Sequence, residues 1–221
     1  MWDVGGYNKD KVEKIATTIN DAFKAVADAI ETKLDERLVI PMSTAWYAPE
    51  AQDEFKEIDK AVSQMATSMK EAYEGYRSWV QQMGETWAEN TGGKKPSLAA
   101  VKNRDINLSD GKIKKDNGGN VTLDEQKAIN VAADMPVVRQ ELFNMIKTEH
   151  GKLNAASAFI GHGQADAANT CFVKVADALN KLFALLNTLG ERLKKYAKKY
   201  KEVGESIAEG FNSATIDVSG N

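Results

Sequence analysis

The chain is poor in cysteine, which cross-links small folds through disulfides, and in proline, which interrupts helices and strands. It has one cysteine, Cys171, and four prolines among 221 residues. One thiol cannot form an internal disulfide, and a lone cysteine among Ala and Val in a helical pattern is typical of a small buried side chain. The scarcity of proline, together with plentiful Ala, Lys, Glu and Asp, favours helix.

Long apolar runs and a strong net charge are also missing. No apolar run approaches the ~20 residues that cross a bilayer, so stable membrane insertion is not expected. The chain starts without a basic-then-apolar leader, so we expect no cleavable signal peptide. Lys plus Arg (29) nearly balance Asp plus Glu (32), for a net charge of −3. Since a dedicated nucleic-acid binder would be strongly basic, no nucleic-acid partner is expected.

Residues that carry catalysis or bind metals are scarce. The two histidines are His150 and His162, and their spacing to each other and to Cys171 matches no familiar metal-ligand pattern. Gly161 and Gly163 flank His162 as turn residues, and no Lys-Ser or Lys-Thr follows them to make a phosphate loop. The sequence therefore predicts a non-enzymatic protein without catalytic, cofactor-binding or metal-binding residues.

The chain has a strong helical periodicity instead. Apolar residues recur every three or four positions in four stretches, which makes one apolar stripe along each helix. Pro41 is expected to end the first helix, because proline disfavours helical geometry at the residue before it. The four stripes run from Ile15 to Leu38, from Phe55 to Trp87, from Ile129 to Phe159 and from Phe172 to Phe211.

The third helix has its own start signal and an internal proline. Thr122, with Glu125 three residues later, is typical of a capping box that opens a helix. Pro136 lies inside the apolar pattern that follows. It predicts either a kink or a short opening helix and a restart near Pro136.

A polar stretch divides the four helices into two hairpins. Residues 92–121 are rich in Gly, Asn, Asp and Lys without a lasting period, so they are expected to form a polar linker between hairpins at 8–91 and 122–212. The fourth helix, from about Gln164 to Phe211, would be roughly 70 Å long at ~1.5 Å per residue, and its apolar stripe cannot stay exposed to water. The predicted fold is all-α, with two long antiparallel helical hairpins packed as an elongated four-helix bundle.

Each predicted hairpin turns at an aromatic residue. The stretch STAWYAPEAQDEF (43–55) places Trp46 and Ala48 before Pro49, which suits the first turn of the next helix. Phe159 and Gly161 occupy the same place in the second hairpin. A helical hairpin with Trp at its turn resembles the WXG100, or ESAT-6-like, superfamily. The Trp-x-Gly motif of that family stands here as WYA in the first turn and as FIG in the second.

The resemblance implies a function. Such proteins are small helical hairpins that pair as antiparallel dimers and are exported by the type VII (ESX) system of Gram-positive bacteria and mycobacteria. This chain resembles two such units in tandem. It would act by helix–helix association, as a homodimer, by intrachain pairing of its hairpins or with a protein partner, including the type VII secretion machinery.

The same resemblance implies a location. The protein would be secreted without a cleavable signal peptide, and would otherwise be cytoplasmic. Substrates of the type VII system usually carry Tyr-x-x-x-Asp/Glu after the second helix. This chain has no strict match, because Tyr200 is followed four residues later by Gly204 and only then by Glu205.

Two alternatives are open at the level of sequence. The second stripe is rich in Met and aromatic residues, which suit either a bundle core or a surface that adapts to a partner. The function could alternatively be that of a structural or assembly protein, a phage or scaffold component built on long helices. The possible interface residues are Met65, Met69, Tyr73, Tyr76, Trp79 and Met83.

Overall fold

A computed structural model describes residues 6–7, 9–155, 158–160 and 163–213. This part of the chain confirms the predicted all-α fold, in which two long helical hairpins pack as one bundle. The helices are α1 (Lys9–Leu34), α2 (Ile40–Ala45), α3 (Pro49–Thr91), α4 (Glu125–Ala155) and α5 (Gln164–Ser213). Four two-residue strands accompany them, β1 (Gly6–Tyr7), β2 (Trp46–Tyr47), β3 (Thr122–Leu123) and β4 (Phe159–Ile160).

Neighbouring long helices in the bundle run in opposite directions. α1 and α5 lie diagonally opposite each other, and each packs against both α3 and α4. Arg37, just after α1, pairs with Asp134 of α4 at 2.6 Å. Lys33, one turn before Arg37 in the chain, pairs with Glu141, two turns after Asp134, also at 2.6 Å. The two pairs therefore follow α1 and α4 in opposite chain directions. The apolar stripes meet between the helices, and the largest fully buried side chains there include Phe23, Phe55, Phe183, Ile15, Ile19 and Leu34.

The first helical run does not end at Pro41, which corrects the sequence-based expectation. After α1 the chain widens into a π-helical turn (Asp35–Val39), and α2 then begins with Ile40 and Pro41 as its first residues. Proline is tolerated there, because the first N–H groups of a helix have no acceptor within that helix. The helical run therefore continues to Ala45, directly before the turn.

The start of α4 also differs from the expectation. The carboxylate of Asp124, and not the hydroxyl of Thr122, accepts a hydrogen bond from the N–H of Lys127, at 3.0 Å. This is the geometry of an N-cap, and Thr122 lies two residues before it in β3. Pro136 lies inside α4, which continues as one α-helix without a restart.

A two-residue antiparallel ladder closes each end of the bundle. β3, which precedes α4, pairs with β2 in the turn between α2 and α3. β1, which precedes α1, pairs with β4 in the turn between α4 and α5. Each hairpin therefore completes the turn of the other. The paired residues are Trp46 with Leu123 and Tyr47 with Thr122 at one end, and Tyr7 with Phe159 and Gly6 with Ile160 at the other.

The connection between α3 and α4 travels most of the length of the bundle. Its central part, residues 96–113, is called the strap below. Pro96 lies beside Gly84 near the end of α3, and the carbonyl of Ile113 accepts a hydrogen bond from Gln52 near its start. Those two points of α3 are about 48 Å apart at ~1.5 Å per residue. A fully extended strap would reach about 60 Å at ~3.5 Å per residue. The strap therefore covers this distance with irregular, mostly extended chain at 96–109 and one 3-10 turn, Asp110–Lys112, near its end.

The strap is polar in composition, but its apolar side chains are buried between α1 and α3. Carboxylates of the bundle hold its backbone: the N–H of Val101 donates to Glu74 at 2.9 Å, and the N–H of Ser109 donates to Asp35 at 2.7 Å. The strap therefore forms part of the core of the first hairpin. Its buried side chains are Pro96, Leu98, Val101, Ile106, Leu108 and Ile113.

The contact between Pro96 and Gly84 predicts the effect of adding a methyl group to α3. A Cβ at Gly84 would lie 2.5 Å from Cγ of Pro96, so Gly84→Ala has to displace the strap. We expect this substitution to lower the free energy of unfolding by roughly 1–2 kcal/mol in urea denaturation, as overpacking does.

Gly75→Ala is the matched control, because a Cβ at Gly75 of the same helix would meet no atom within 4 Å. It should raise the free energy of unfolding by up to about 1 kcal/mol through helix propensity alone. If both substitutions stabilise the protein equally, the strap does not pack on α3 as described.

Candidate functional site at the two hairpin turns

The first turn buries the tryptophan of the family-like motif. Trp46 is 0% exposed, and the centroid of its ring lies 5.3 Å from that of Tyr196 in α5. The chain then leaves β2 through Ala48, and α3 begins at Pro49. The N–H of Ala51 donates to the carbonyl of Ala48 at 3.1 Å, which closes the first turn of the helix.

The backbone of Ala48 explains why this turn does not need a glycine. Ala48 has φ −161° and ψ 154°, an extended conformation that any L-residue adopts without strain. Its side chain is fully buried. The WYA form of the motif therefore supports a tight turn, with the Ala48 methyl group inside the bundle.

Two tyrosines of α5 cover the tryptophan. Tyr196 and Tyr200 stack with centroids 6.5 Å apart, and the Tyr200 hydroxyl donates to Glu50 at 3.2 Å. Burial is the main cause that raises the pKa of both phenols. The indole N–H of Trp46 makes no hydrogen bond of normal geometry in the described part of the chain. Its interaction with the Tyr200 hydroxyl favours the phenolate and so lowers the pKa of Tyr200, against the effect of burial. Both tyrosines therefore remain protonated near neutral pH.

Charged pairs bind α5 to the start of α3 beside this aromatic cluster. Arg192 lies 2.6 Å from Glu54, whose side chain is only 12% exposed, and Lys199 lies 3.5 Å from Glu50. The two carboxylates are also favourably placed in the first turns of α3, near the positive end of its dipole. The partly buried Arg192–Glu54 pair fixes the register of α5 against α3 more firmly than an exposed pair would.

The second turn is built from different residues but holds an aromatic ring in the equivalent position. Phe159 of β4 is 3% exposed, and its ring meets Trp79 of α3 edge to face at 5.9 Å. Gln164, the first residue of α5, accepts hydrogen bonds from the N–H groups of Ala158 at 3.0 Å and Phe159 at 3.2 Å. Its amide nitrogen lies 3.1 Å from the hydroxyl of Tyr76 and donates to it.

Part of the predicted second turn cannot be compared with the first. Gly161, the glycine of the FIG sequence, and His162 lie outside the described residues. The equivalence of the two turns therefore rests on the ladders. Trp46 and Phe159 each face a residue that lies two positions before a long helix, Leu123 before α4 and Tyr7 before α1.

The structure places the possible interface stripe mostly in the core of this chain. Two of its six residues, Trp79 and Met83, are half-buried against that core. The other four side chains are accessible to a second chain only if the bundle opens. These four residues, each at most 3% exposed, are Met65, Met69, Tyr73 and Tyr76.

Two reactive side chains outside the turns, Cys171 and His150, lie in surroundings that shift their pKa values. Burial raises the pKa of the Cys171 thiol to about 12, so the thiolate nucleophile is scarce at neutral pH. Burial lowers the pKa of His150, whose ring packs at a tilt against Phe172 with the ring centroids 4.8 Å apart. Among the described residues, no group of three His, Cys, Asp or Glu side chains could hold a metal ion. In the same residues, no helix is long and apolar enough to cross a membrane.

Sequence reasoning missed the polar residues that hold the turns. Gln164 is 6% exposed and binds three groups, but a glutamine at a helix start gives no sign of burial in the sequence. Arg192 and Glu54 are separated by most of the chain, so only the packing of α5 on α3 brings them together. The one sequence signal for their burial was position, because Gln164, Arg192 and Glu54 all lie close in sequence to residues of an apolar stripe.

Removal of the buried indole should cost much of the stability of the protein. We expect Trp46→Ala to lower the free energy of unfolding by roughly 3–5 kcal/mol, because a large cavity is left between the first turn and α5. Thermal and urea denaturation measure this loss. Trp87→Ala is the control, since Trp87 is only half-buried, and it should cost clearly less. A negligible effect of Trp46→Ala would show that the ring is not buried in solution.

Introducing a glycine at position 48 should not help the fold. Ala48→Gly removes a buried methyl group and loosens the unfolded chain, so we expect a loss of about 1–2 kcal/mol. Ala100→Gly, at an exposed position in the strap, should lose only the smaller entropic part, about 0.4–1 kcal/mol. A gain in melting temperature from Ala48→Gly would mean that the turn is strained by its alanine.

Comparison with known proteins does not assign this geometry to a family. No protein-family model, curated protein or solved structure matches the chain. The features of this chain that bear on function are the two turns and the way in which the hairpins complete each other.

Proposed function

We propose that this chain is a non-enzymatic helical protein that resembles the type VII (ESX) secreted ESAT-6-like proteins and acts by helix–helix association. The observation that carries the proposal is the reciprocal closure of the two turns. β3 of the second hairpin pairs with the Trp46 turn, and β1 before the first hairpin pairs with the Phe159 turn. A tandem of two equivalent hairpin units would produce this arrangement.

The direction of the hairpins supports the same proposal. Proteins of the WXG100 type pair as antiparallel dimers, and the two hairpins of this chain lie antiparallel, with their turns at opposite ends of the bundle. The chain would thus contain within itself the pair that two separate subunits form. Its strap would keep the two units together at high effective concentration, so that no partner is needed for the bundle to form.

The chemistry around the aromatic turn fits an association role. The carboxylates of Glu50 and Glu54 are engaged by Tyr200, Lys199 and Arg192, and the phenols are protonated near neutral pH. Groups that are held in structural pairs are poor candidates for general acid–base work, which needs a titrating group free to reach a substrate. We propose no cofactor and no catalytic residue.

Export follows as the second half of the proposal. The protein would leave the cell through the type VII machinery without a cleavable signal peptide. Because the strict Tyr-x-x-x-Asp/Glu sequence is missing, recognition would involve the Tyr200–Glu205 region in a relaxed form, or a partner that carries the signal.

The test is a comparison of two strains of the bacterium that encodes the protein. One strain keeps a functional type VII secretion ATPase and the other lacks it. We expect the chain in the medium of the first strain and only in the cells of the second, by immunoblot with a cytosolic lysis marker as the control. Ala48→Gly, which restores Trp-x-Gly, should be exported as well as the parent chain.

Two results would count against the proposal. Retention in the cells of both strains would argue against export by this route, and equal release from both would indicate lysis or another route. Co-sedimentation of the retained protein with a large particle would support the alternative of a structural or assembly protein.

A further inference from the structure

The connection from the strap to α4 is exposed along almost its whole length. It begins after Ile113, which is 3% exposed, and ends at β3, where Leu123 pairs with Trp46. Its residues 114–121, which start with two lysines, are called the dilysine loop. Seven of these eight residues are exposed, and Asp116 is half-buried. The dilysine loop is therefore open to solvent between two points that are fixed to the bundle.

The backbone of the dilysine loop is held by bonds within the loop itself. The N–H of Asn117 donates to the carbonyl of Asn120 at 2.8 Å, and the N–H of Asn120 donates to the carbonyl of Asn117 at 3.2 Å. Gly118 and Gly119, with φ of 62° and 89°, make the tight turn between them. In the described part of the chain, no hydrogen bond joins this loop to a helix. The loop can therefore open without breaking a hydrogen bond to either hairpin.

A protease needs such a segment, because it binds several residues on either side of the bond that it cuts. Exposed loop tips with small and polar residues are accordingly the preferred sites of proteolytic nicking. Lys114 and Lys115 are both exposed, and they supply the side chain that a lysine-specific protease recognises.

The basic residues of the strap lack this freedom. The N–H of Lys102 donates to the side chain of Asn20 at 2.8 Å, which fixes the backbone there. Arg104 is bound by two carboxylates of α1, at 2.8 Å and 3.1 Å, so its side chain is not free to enter a specificity pocket. Lys112 precedes the buried Ile113, which would have to leave the bundle first. A cut in the strap therefore requires the strap to lose its packing.

The segment directly after α3 offers two lysines but less exposed chain. Lys94 and Lys95 lie in the exposed residues 92–95, between the end of α3 and the buried Pro96. Lys95 is also paired with Glu89 at 2.6 Å. Because the dilysine loop has about twice this length of exposed chain, it is the more accessible site between the two hairpins.

A cut in the dilysine loop leaves both hairpins and their mutual contacts intact. The strap stays on the first hairpin, because the carboxylates of Glu74 and Asp35 bind its backbone. β3 and β1 still pair with the turns of the opposite hairpins, and α4 and α5 still pack on α1 and α3. None of these contacts depends on the covalent link. The two pieces therefore remain together as a bundle of two chains.

We propose that the dilysine loop is a processing site for an endopeptidase that cleaves after lysine, and that the cut protein persists as a pair of hairpins. Water hydrolyses the peptide bond after Lys114 or Lys115: the lysine carbonyl becomes a carboxylate, and the next nitrogen leaves as an ammonium group. No other reactant is consumed. Because the link no longer supplies an effective concentration, pairing of the hairpins becomes dependent on protein concentration. The site is independent of the proposed export, so either can fail without the other.

The experiment is limited digestion of the full native chain with trypsin, followed by mass spectrometry and size-exclusion chromatography. We expect the first cut between α3 and α4 to follow Lys114 or Lys115, giving two pieces that are each about half of 24.2 kDa. The two pieces should elute together at the position of the uncut chain and separate only in denaturant. The melting temperature of the cut protein should fall on dilution, whereas that of the uncut chain should not.

Two double variants test the site. K114Q/K115Q should slow the cutting of the connection by at least about tenfold, because the remaining sites require the strap to open first. K94Q/K95Q is the matched control, since it removes the other exposed lysine pair of the connection, and it should leave the rate unchanged. A first cut after Lys94 or in the strap would overturn the proposal. So would pieces that separate or unfold as soon as the loop is cut, because the hairpins would then depend on the covalent link.

Discussion

The rest of this fold depends on the need to return the chain along the whole bundle between its two hairpins. When every neighbouring pair of helices is antiparallel, α3 ends where α1 begins, and α4 has to start at the far end. Two separate hairpin chains would not face this constraint. A single chain satisfies it with a strap that is mostly extended, because residues 96–113 must cover about 48 Å with a maximum reach of about 60 Å and include one 3-10 turn, Asp110–Lys112. Extended backbone next to helices needs hydrogen-bond partners, and carboxylates of Glu74 and Asp35 supply them.

The same return explains how the ends of the bundle are closed. The strap delivers the chain to the first turn, where β3 pairs with β2 just before α4 begins. At the other end β1 pairs with β4 in the same register relative to its own helix. The Trp46 turn and the Phe159 turn are therefore two versions of one device. In the first, the tyrosines of α5 cover the ring, and in the second Gln164 ties the turn to α3.

The sequence was sufficient for the features that periodicity controls. The four apolar stripes predicted the long helices, and Pro49 predicted where α3 begins. It was not sufficient where one interaction competes with another. Thr122 has the side chain of a cap, but strand pairing with Tyr47 takes it away from the helix and leaves Asp124 to cap α4. The burial of the strap was hidden as well, because its apolar residues are spaced irregularly and only the groove between α1 and α3 makes them a core.

The central claim is that the two hairpins close each other's turns within one chain. Isotope-filtered nuclear Overhauser spectroscopy on a mixture of labelled and unlabelled protein tests it most directly. The account predicts contacts between Trp46 and Leu123, and between Phe159 and Tyr7, that appear only within one isotopic species, because each pair belongs to a single molecule. The same contacts observed between labelled and unlabelled chains would show that the hairpins pair across two molecules, and would contradict the account.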